Sequence, residues 1–178
     1  KPVIALDFTA PQYTSVRMAS RIAEKLTNDA LFRLGFQHQQ KGELSLAAEY
    51  YTRSIERKPS AEAHTFLGWV FGQMGELEFA IEECKKALKL DSTFGNAWND
   101  LGAYHCEKLQ FKEAIPFLKK AIKIKRYDEK EFAYYNLARA YIHFEQFNRA
   151  IEMLTLSLEE NKRFGVAQEL LDQIKNVL

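Results

Sequence analysis

Residues 96–124, NAWNDLGAYHCEKLQFKEAIPFLKKAIKI, contain two helix-length segments that decide the fold of this chain. Each segment repeats apolar or small residues at the spacing of one helix face, and a short turn around Leu109 joins them. Small residues lie at Gly102 in the first segment and at Ala114 and Ala121 in the second, where two helix backbones must approach closely. The stretch therefore predicts a helical hairpin.

The same template occurs three more times along the chain. Each copy has a leucine followed directly by a small residue, and an alanine lies twelve positions after that small residue. The leucine pairs recur at intervals of 33, 34 and 36 residues, which unrelated amphipathic helices would not do. The pairs are Leu34-Gly35, Leu67-Gly68, Leu101-Gly102 and Leu137-Ala138, and the alanines are Ala47, Ala80, Ala114 and Ala150.

This pattern resembles the tetratricopeptide repeat family, whose period is about 34 residues. Trp98 with Leu101 and Gly102, the turn glycines Gly42 and Gly75, and Pro59 after the first repeat carry the resemblance. It implies an all-α fold, a solenoid of helical hairpins with four repeats at 28–60, 61–94, 95–130 and 131–163. The chain departs from the family pattern at Leu109 and Glu145, which replace the turn glycine, and in a third repeat that is two residues longer.

Segments outside the repeats are predicted to close the two ends of the solenoid. Residues 1–27 combine an apolar, proline-broken arm with a helix that covers the first repeat, and residues 164–178 form a C-terminal capping helix. Two interpretations of the arm stay open: a frayed terminus, or a segment docked in a groove of this molecule or of a neighbour, which would allow self-association.

Composition excludes several functional classes. The formal net charge of +1 gives no field that favours nucleic acid, and the basic residues of 119–126 end a helix, where cations stabilise the dipole. No apolar run approaches the roughly 20 residues of a membrane span, so no membrane insertion is expected. The two cysteines, Cys84 and Cys106, are predicted to be buried free thiols, which favours the cytoplasm. Because the sequence starts at Lys1, a removed leader and a periplasmic location form the alternative.

The histidines offer no catalytic or metal-binding pattern. His38 and His105 occupy the repeat position of Phe71 and Tyr141, so we expect them to be packing residues. His64 takes the position of Trp98, and only His143 lies on a face that should be exposed; no H-E-x-x-H, C-x-x-C or phosphate-binding loop occurs. We predict no enzymatic activity, no metal and no cofactor.

The family resemblance directs attention to the inner surface of the solenoid. In such proteins the first helix of each repeat exposes its second, fifth, sixth, ninth, twelfth and thirteenth positions to a concave groove. Large aromatic residues at these positions predict a binding surface, because exposed aromatic clusters mark interaction sites. The alternative is that they form core against the leading helix or the arm. The predicted binding residues are the aromatics Phe32, Phe36, Phe66 and Trp69 and, farther along, Asn99, Tyr135, Asn136 and Arg139.

These features indicate an interaction scaffold or adaptor that binds a peptide segment or partner surface in an aromatic groove. The family's basic clamp on a terminal carboxylate is absent, since its positions are taken by Phe32, Phe36, Phe66, Asn96 and Asp100. A second hypothesis is an assembly factor, because the array is also similar to the pilotin-type repeat lipoproteins of bacterial type IV pili. A signal peptide ending in a lipidated cysteine would support that second hypothesis.

Overall fold

The structure is a computed structural model that describes residues 26–177, and over this range it consists of α-helices and their connections, without a strand. The predicted all-α solenoid of hairpins is confirmed, whereas the arm and most of the leading helix fall on residues 1–25, outside the described range. The helices are α1 (Asn28–Gln40), α2 (Leu44–Arg57), α3 (Ala61–Gln73), α4 (Leu77–Leu90), α5 (Gly95–Glu107), α6 (Phe111–Lys123), α7 (Lys130–His143), α8 (Phe147–Glu160) and α9 (Gly165–Val177).

Small residues bring the two helices of each hairpin into close contact. The four alanines of the second helices, at 47, 80, 114 and 150, have no exposed surface. A Cβ atom on Gly102 would lie 2.6 Å from side-chain atoms of Leu118, so the second helix packs where a larger residue on the first would collide. The α9 helix packs against α8 at the C-terminal end. The small residues thus act as predicted from their spacing.

Each hairpin turns through the same backbone motif. In the first turn the Gly42 amide donates to the Gln39 carbonyl and the Glu43 amide donates to the His38 carbonyl, the pair of bonds of a Schellman motif. The other three turns repeat both bonds. The motif needs one residue with positive φ, and the four residues in that place are Gly42 (75°), Gly75 (81°), Leu109 (59°) and Glu145 (55°). The two departures from glycine therefore leave the turn geometry unchanged.

The first helices form the inner layer of the solenoid. Besides its hairpin partner, α3 contacts α5, and α5 contacts α7. The connections between hairpins differ: residues 58–60 and 91–94 join the first three, whereas residues 124–129 join the third to the fourth. The longer third repeat therefore places its extra residues beside the inner layer, before α7.

Two of the histidines, His38 and His105, combine ring packing with a polar contact. The ring of His38 stacks on Tyr50 with centroids 5.1 Å apart, and its Nδ1 atom lies 2.5 Å from Glu43 Oε2. His105 makes the corresponding contacts: its ring packs at a tilt on Phe117 with centroids 5.3 Å apart, and its Nδ1 atom lies 2.8 Å from the Gln110 amide oxygen. The packing role predicted for both is thus correct but incomplete, since each also ties the end of its helix to the turn.

His64 belongs to a buried polar pair. Its Nδ1 atom lies 2.6 Å from Oε2 of Glu83, and Lys86 donates to the other carboxylate oxygen at 2.6 Å. Burial raises the pKa of Glu83, but the hydrogen bonds from His64 and Lys86 outweigh it and hold the pKa below its usual value. The pair therefore joins α3 to α4 where the third hairpin instead has Trp98.

The two cysteines are buried and form no disulfide, as predicted. Burial raises the pKa of the Cys84 thiol well above its ordinary value and that of Cys106 to about 11. Neither thiol is therefore a ready nucleophile. Within the described residues no helix has the length and apolar character required to cross a bilayer.

Candidate functional site

Four aromatic side chains on α1 and α3 form one continuous cluster, named here the aromatic cluster. The ring of Phe66 lies at its centre, with centroids 5.2 Å from Phe32, 5.9 Å from Phe36 and 6.3 Å from Trp69. All three contacts are edge-to-face, the geometry that aromatic pairs favour. The structure thus brings together the four aromatic residues that repeat position alone had selected.

The members of the aromatic cluster differ in exposure. Phe36 and Trp69 have 41% and 42% of their surface exposed, although both are large apolar side chains. Phe32 and Phe66 are half-buried and contact the ring of the fully buried Tyr51. Phe32 and Phe66 therefore support the surface, whereas Phe36 and Trp69 present it to solvent.

A cavity of about 550 Å³ opens beside the aromatic cluster and extends along the inner layer, from α3 across α5 to the start of α7. Its wall is acidic and aromatic: among the lining residues that belong to the described part of the chain, three carry carboxylates, five are aromatic and none is basic. The lining residues are Glu62, Thr65, Phe66, Trp69, Phe94, Asn96, Asn99, Asp100, Tyr127, Glu129 and Phe132.

The carboxylates of the cavity have no basic partner among the residues that the structure describes. Within residues 26–177, none of Glu62, Asp100 and Glu129 forms an ion pair. Glu129 accepts a hydrogen bond from Asn96 at 2.6 Å, and Asp100 accepts one from Asn99 at 3.1 Å. Burial raises the pKa of Asp100 to about 7; the bond from Asn99 lowers it and the charge of Glu129 raises it. Residues 26–177 therefore supply no positive charge that compensates these carboxylates.

Three of the predicted polar residues form a ladder that ends at Asp100. Arg139 donates to Asn136 at 3.1 Å, Asn136 donates to Asn99 at 3.4 Å, and Asn99 donates to Asp100. Asn99 and Asn136 are each only 7% exposed. Both side chains are therefore more buried than their groove positions led us to expect, because α5 contacts α7 closely and the two amides bond to each other, although Asn99 still lines the cavity.

Tyr135 and Arg139 lie farther along the inner layer, away from the aromatic cluster. The Tyr135 ring packs edge-to-face on Phe164 with centroids 5.6 Å apart, and the guanidinium of Arg139 lies 6.0 Å from the Tyr135 ring centroid. Both side chains are half-buried. They flank the cavity without lining it, so the eight predicted residues form two groups rather than one continuous row.

Sequence reasoning missed five residues of the cavity wall. Glu62 and Phe132 lie at the second position of their repeats, a groove position, and consistent use of that rule would have included them. Phe94 precedes α5, and Tyr127 and Glu129 belong to the longer connection 124–129. The signal for Tyr127 and Glu129 was the two-residue departure from the repeat length, which indicates where the wall differs from that of a regular array.

The described residues contain no group of three or more His, Cys, Asp or Glu side chains arranged to hold a metal ion. The predictions of no enzyme and no cofactor stay predictions. What the cavity offers chemically is a recess whose wall carries carboxylates and aromatic rings.

Comparison with known proteins identifies the family. The tetratricopeptide repeat model matches residues 29–60, 61–94 and 133–164, more than half of the chain. The type IV pilus assembly protein PilF of Pseudomonas aeruginosa is 31% identical over 146 residues, which make up 81% of this chain and 58% of that protein. The chain thus spans less than two thirds of the length of that relative.

Solved structures share the fold. The structure of Pseudomonas aeruginosa pilF superposes with a TM-score of 0.77 at 28% identity, over 83% of this chain and 67% of that chain. The crystal structure of MamA gives a TM-score of 0.70 at 22% identity, over 90% of this chain and 98% of that chain. The repeat pattern, the hairpin geometry and the family match agree: this protein belongs to the tetratricopeptide repeat family.

Proposed function

We propose that this protein is a scaffold that binds an extended peptide segment of a partner protein along its inner layer. Tetratricopeptide repeat proteins serve as protein-interaction scaffolds, and the finer assignment rests on one observation. Trp69, which lines the 550 Å³ cavity, and Phe36, whose ring contacts the lining residue Phe66, are each about two-fifths exposed. Exposed aromatics beside a recess are the typical anchors of a peptide interface.

The residues of this surface take different parts in the proposed interface. Phe36 and Trp69 contact apolar side chains of the peptide, while Phe32 and Phe66 hold them in place from below. Tyr135 and Arg139 contact the peptide farther along, and the Arg139 guanidinium is suited to a backbone carbonyl or a carboxylate. Asn99 and Asn136, being buried, position Asp100 and Arg139 and contribute little contact area of their own.

Selection of random 12-residue peptides displayed on phage tests the existence of the groove. Enrichment of a sequence family that binds the wild type supports the proposal. A selection that yields no binding sequence overturns it, because an open aromatic groove with a recess should capture short apolar segments.

The contribution of Trp69 can be measured with a synthetic version of the enriched peptide. Replacing Trp69 with Ala should weaken binding by about 2 kcal/mol or more, as expected for a central aromatic anchor, with helix content unchanged. Phe79→Ala is the matched control, because Phe79 is 59% exposed on α4, outside the aromatic cluster. Isothermal titration gives the affinities and circular dichroism the helix content. If Trp69→Ala unfolds the protein without a specific loss of binding, the aromatic cluster is core and not a binding surface.

A second candidate function is assembly of a type IV pilus or a secretion system. The 31% identity to the Pseudomonas aeruginosa pilus assembly protein supports it. In the organism that encodes the chain, deletion of its gene should abolish surface pili, and expression from a plasmid should restore them. Normal piliation in the deletion strain would rule out the pilus role, and normal export of secreted proteins in that strain would rule out the secretion role. The cytoplasmic and periplasmic assignments stay alternatives, and the second candidate favours the periplasm.

A further inference from the structure

The cavity has an electrostatic preference that the fold alone does not require. Its three carboxylates come from separate elements: Glu62 from α3, Asp100 from α5 and Glu129 from the connection before α7. They converge on one recess although like charges repel, and none of the described residues that line it is basic. Charge complementarity therefore favours a cationic occupant and opposes an anionic one.

The aromatic residues of the cavity favour the same kind of occupant. Trp69, which is exposed, and Phe132, which is 40% exposed, belong to the lining, together with Phe66, Phe94 and Tyr127. The faces of aromatic rings attract ammonium and guanidinium groups, and a carboxylate beside such rings strengthens the attraction in a desolvated site. A hydrophobic side chain would satisfy the rings but would leave the carboxylates uncompensated.

We infer that the cavity receives a lysine or arginine side chain of the bound peptide, whose apolar neighbours rest on the aromatic cluster. This inference rests on the proposed function, since it names the chemistry of the segment that the groove binds. Glu62 and Glu129, both exposed, flank the cation at the mouth, and the partly buried Asp100 meets it inside. The recognition is opposite in sign to the family's clamp on a terminal carboxylate.

The environment of Asp100 in the absence of a bound peptide agrees with this assignment. Its carboxylate is partly buried, accepts one hydrogen bond within the described residues and has its pKa raised by burial. A cation delivered by the peptide would supply the missing counter-charge. The ladder from Arg139 through the two asparagines fixes the orientation of Asp100, so the site is built before the peptide arrives.

The experiment starts from the sequences enriched on the wild type and uses synthetic peptides acetylated at the N-terminus, so that only side chains carry positive charge. The inference predicts a lysine or arginine flanked by apolar residues in the enriched family. Replacing that residue with norleucine, which keeps the aliphatic chain, should weaken binding about ten-fold or more. In the variant Glu62→Gln/Asp100→Asn/Glu129→Gln, the cationic and norleucine peptides should bind within about two-fold of each other.

Controls separate this inference from the proposed function. Glu152→Gln removes an exposed carboxylate on α8 and should keep the full preference for the cation. Glu62→Gln/Glu129→Gln, which leaves Asp100 intact, gives a second measurement if the triple variant does not fold. Enriched peptides that lack a basic residue, equal binding of the norleucine peptide to the wild type, or loss of binding on acetylation overturn the inference while the groove stands. An absence of any enriched peptide overturns both.

Discussion

At the scale of the residue, Asp100 is a position where a buried charge should lower stability. Its carboxylate is partly buried with no cation beside it in residues 26–177, and such a group is less favourable than the same group in the unfolded chain. The titratable groups that face it are Cys84, Tyr104, Tyr127 and Glu129, and none of them supplies positive charge. A chain selected only for stability would have a neutral residue here.

Replacing Asp100 with Asn should therefore raise the free energy of unfolding at pH 8. The pKa of Asp100 is raised in the folded state from 3.8 to about 7, so the folded state binds the proton more tightly and its charged form is penalised as the pH rises through this window. The advantage of Asn should be complete above about pH 7 and should vanish near pH 4. Urea unfolding of both proteins across this range measures it; a difference that does not depend on pH would contradict the assignment.

At the scale of the element, two of the turn residues destabilise the fold through their backbone conformation. Leu109 and Glu145 hold the left-handed φ that Gly42 and Gly75 adopt freely. Side chains in this region are strained by about 1 to 2 kcal/mol, partly offset because glycine loses more entropy on folding.

Leu109→Gly should consequently stabilise the protein by about 0.5 to 1 kcal/mol. Leu109 is 74% exposed, so little packing is lost with its side chain. Gly42→Ala is the reciprocal control, because a Cβ atom there meets nothing within 4 Å and only the backbone is tested. Urea unfolding of the three proteins gives the differences. Destabilisation by Leu109→Gly would mean that the leucine side chain contributes packing that its exposure does not show.

The contact between the two helices of a hairpin should, unlike the turn, be destabilised by substitution. Ala114 has no exposed surface where α5 and α6 meet, and its carbonyl oxygen would lie 3.4 Å from a Cβ atom on Gly102. Ala114→Leu should destabilise by about 1 to 3 kcal/mol through overpacking. Lys112→Leu places the same side chain at an exposed position of α6 and should have little effect. Equal thermal midpoints for wild type and Ala114→Leu would show that the seam is looser than the structure has it.

The elements that repeat regularly along the chain were the ones that could be predicted from the sequence. The leucine and small-residue pattern predicted every hairpin because the packing it reports is local and repeats. The aromatic cluster could also be predicted from the sequence, since position within one repeat decides which way Phe36 and Trp69 face. The cavity could not be predicted, because Tyr127 and Glu129 lie in an irregular connection whose path depends on tertiary contacts. The burial of Asn99 against Asn136 is likewise set by the distance between two repeats, which no single repeat encodes.

At the scale of the whole molecule, the predicted arm could share the groove with a partner. Residues 3–8 are mostly apolar, as a segment suited to the aromatic cluster would be. We expect deletion of residues 1–12 to strengthen binding of the enriched peptide, because a competitor attached to the same chain is removed. Isothermal titration of the truncated and full chains measures the change. Replacing the apolar residues of 3–8 with serine should match the deletion, and unchanged affinity in both would show that the arm does not compete.

The walls of the cavity belong to three successive hairpins, and this has a mechanical consequence. A solenoid whose hairpins contact mainly their neighbours deforms like a spring, by small rotations shared among its turns. Glu62, Asp100 and Phe132 stand on different turns of that spring, so stretching it would draw them apart. A peptide side chain bound among them, as proposed, would resist this separation and stiffen this part of the superhelix. If the proposed peptide binds there, tension applied along the axis should in turn weaken its binding.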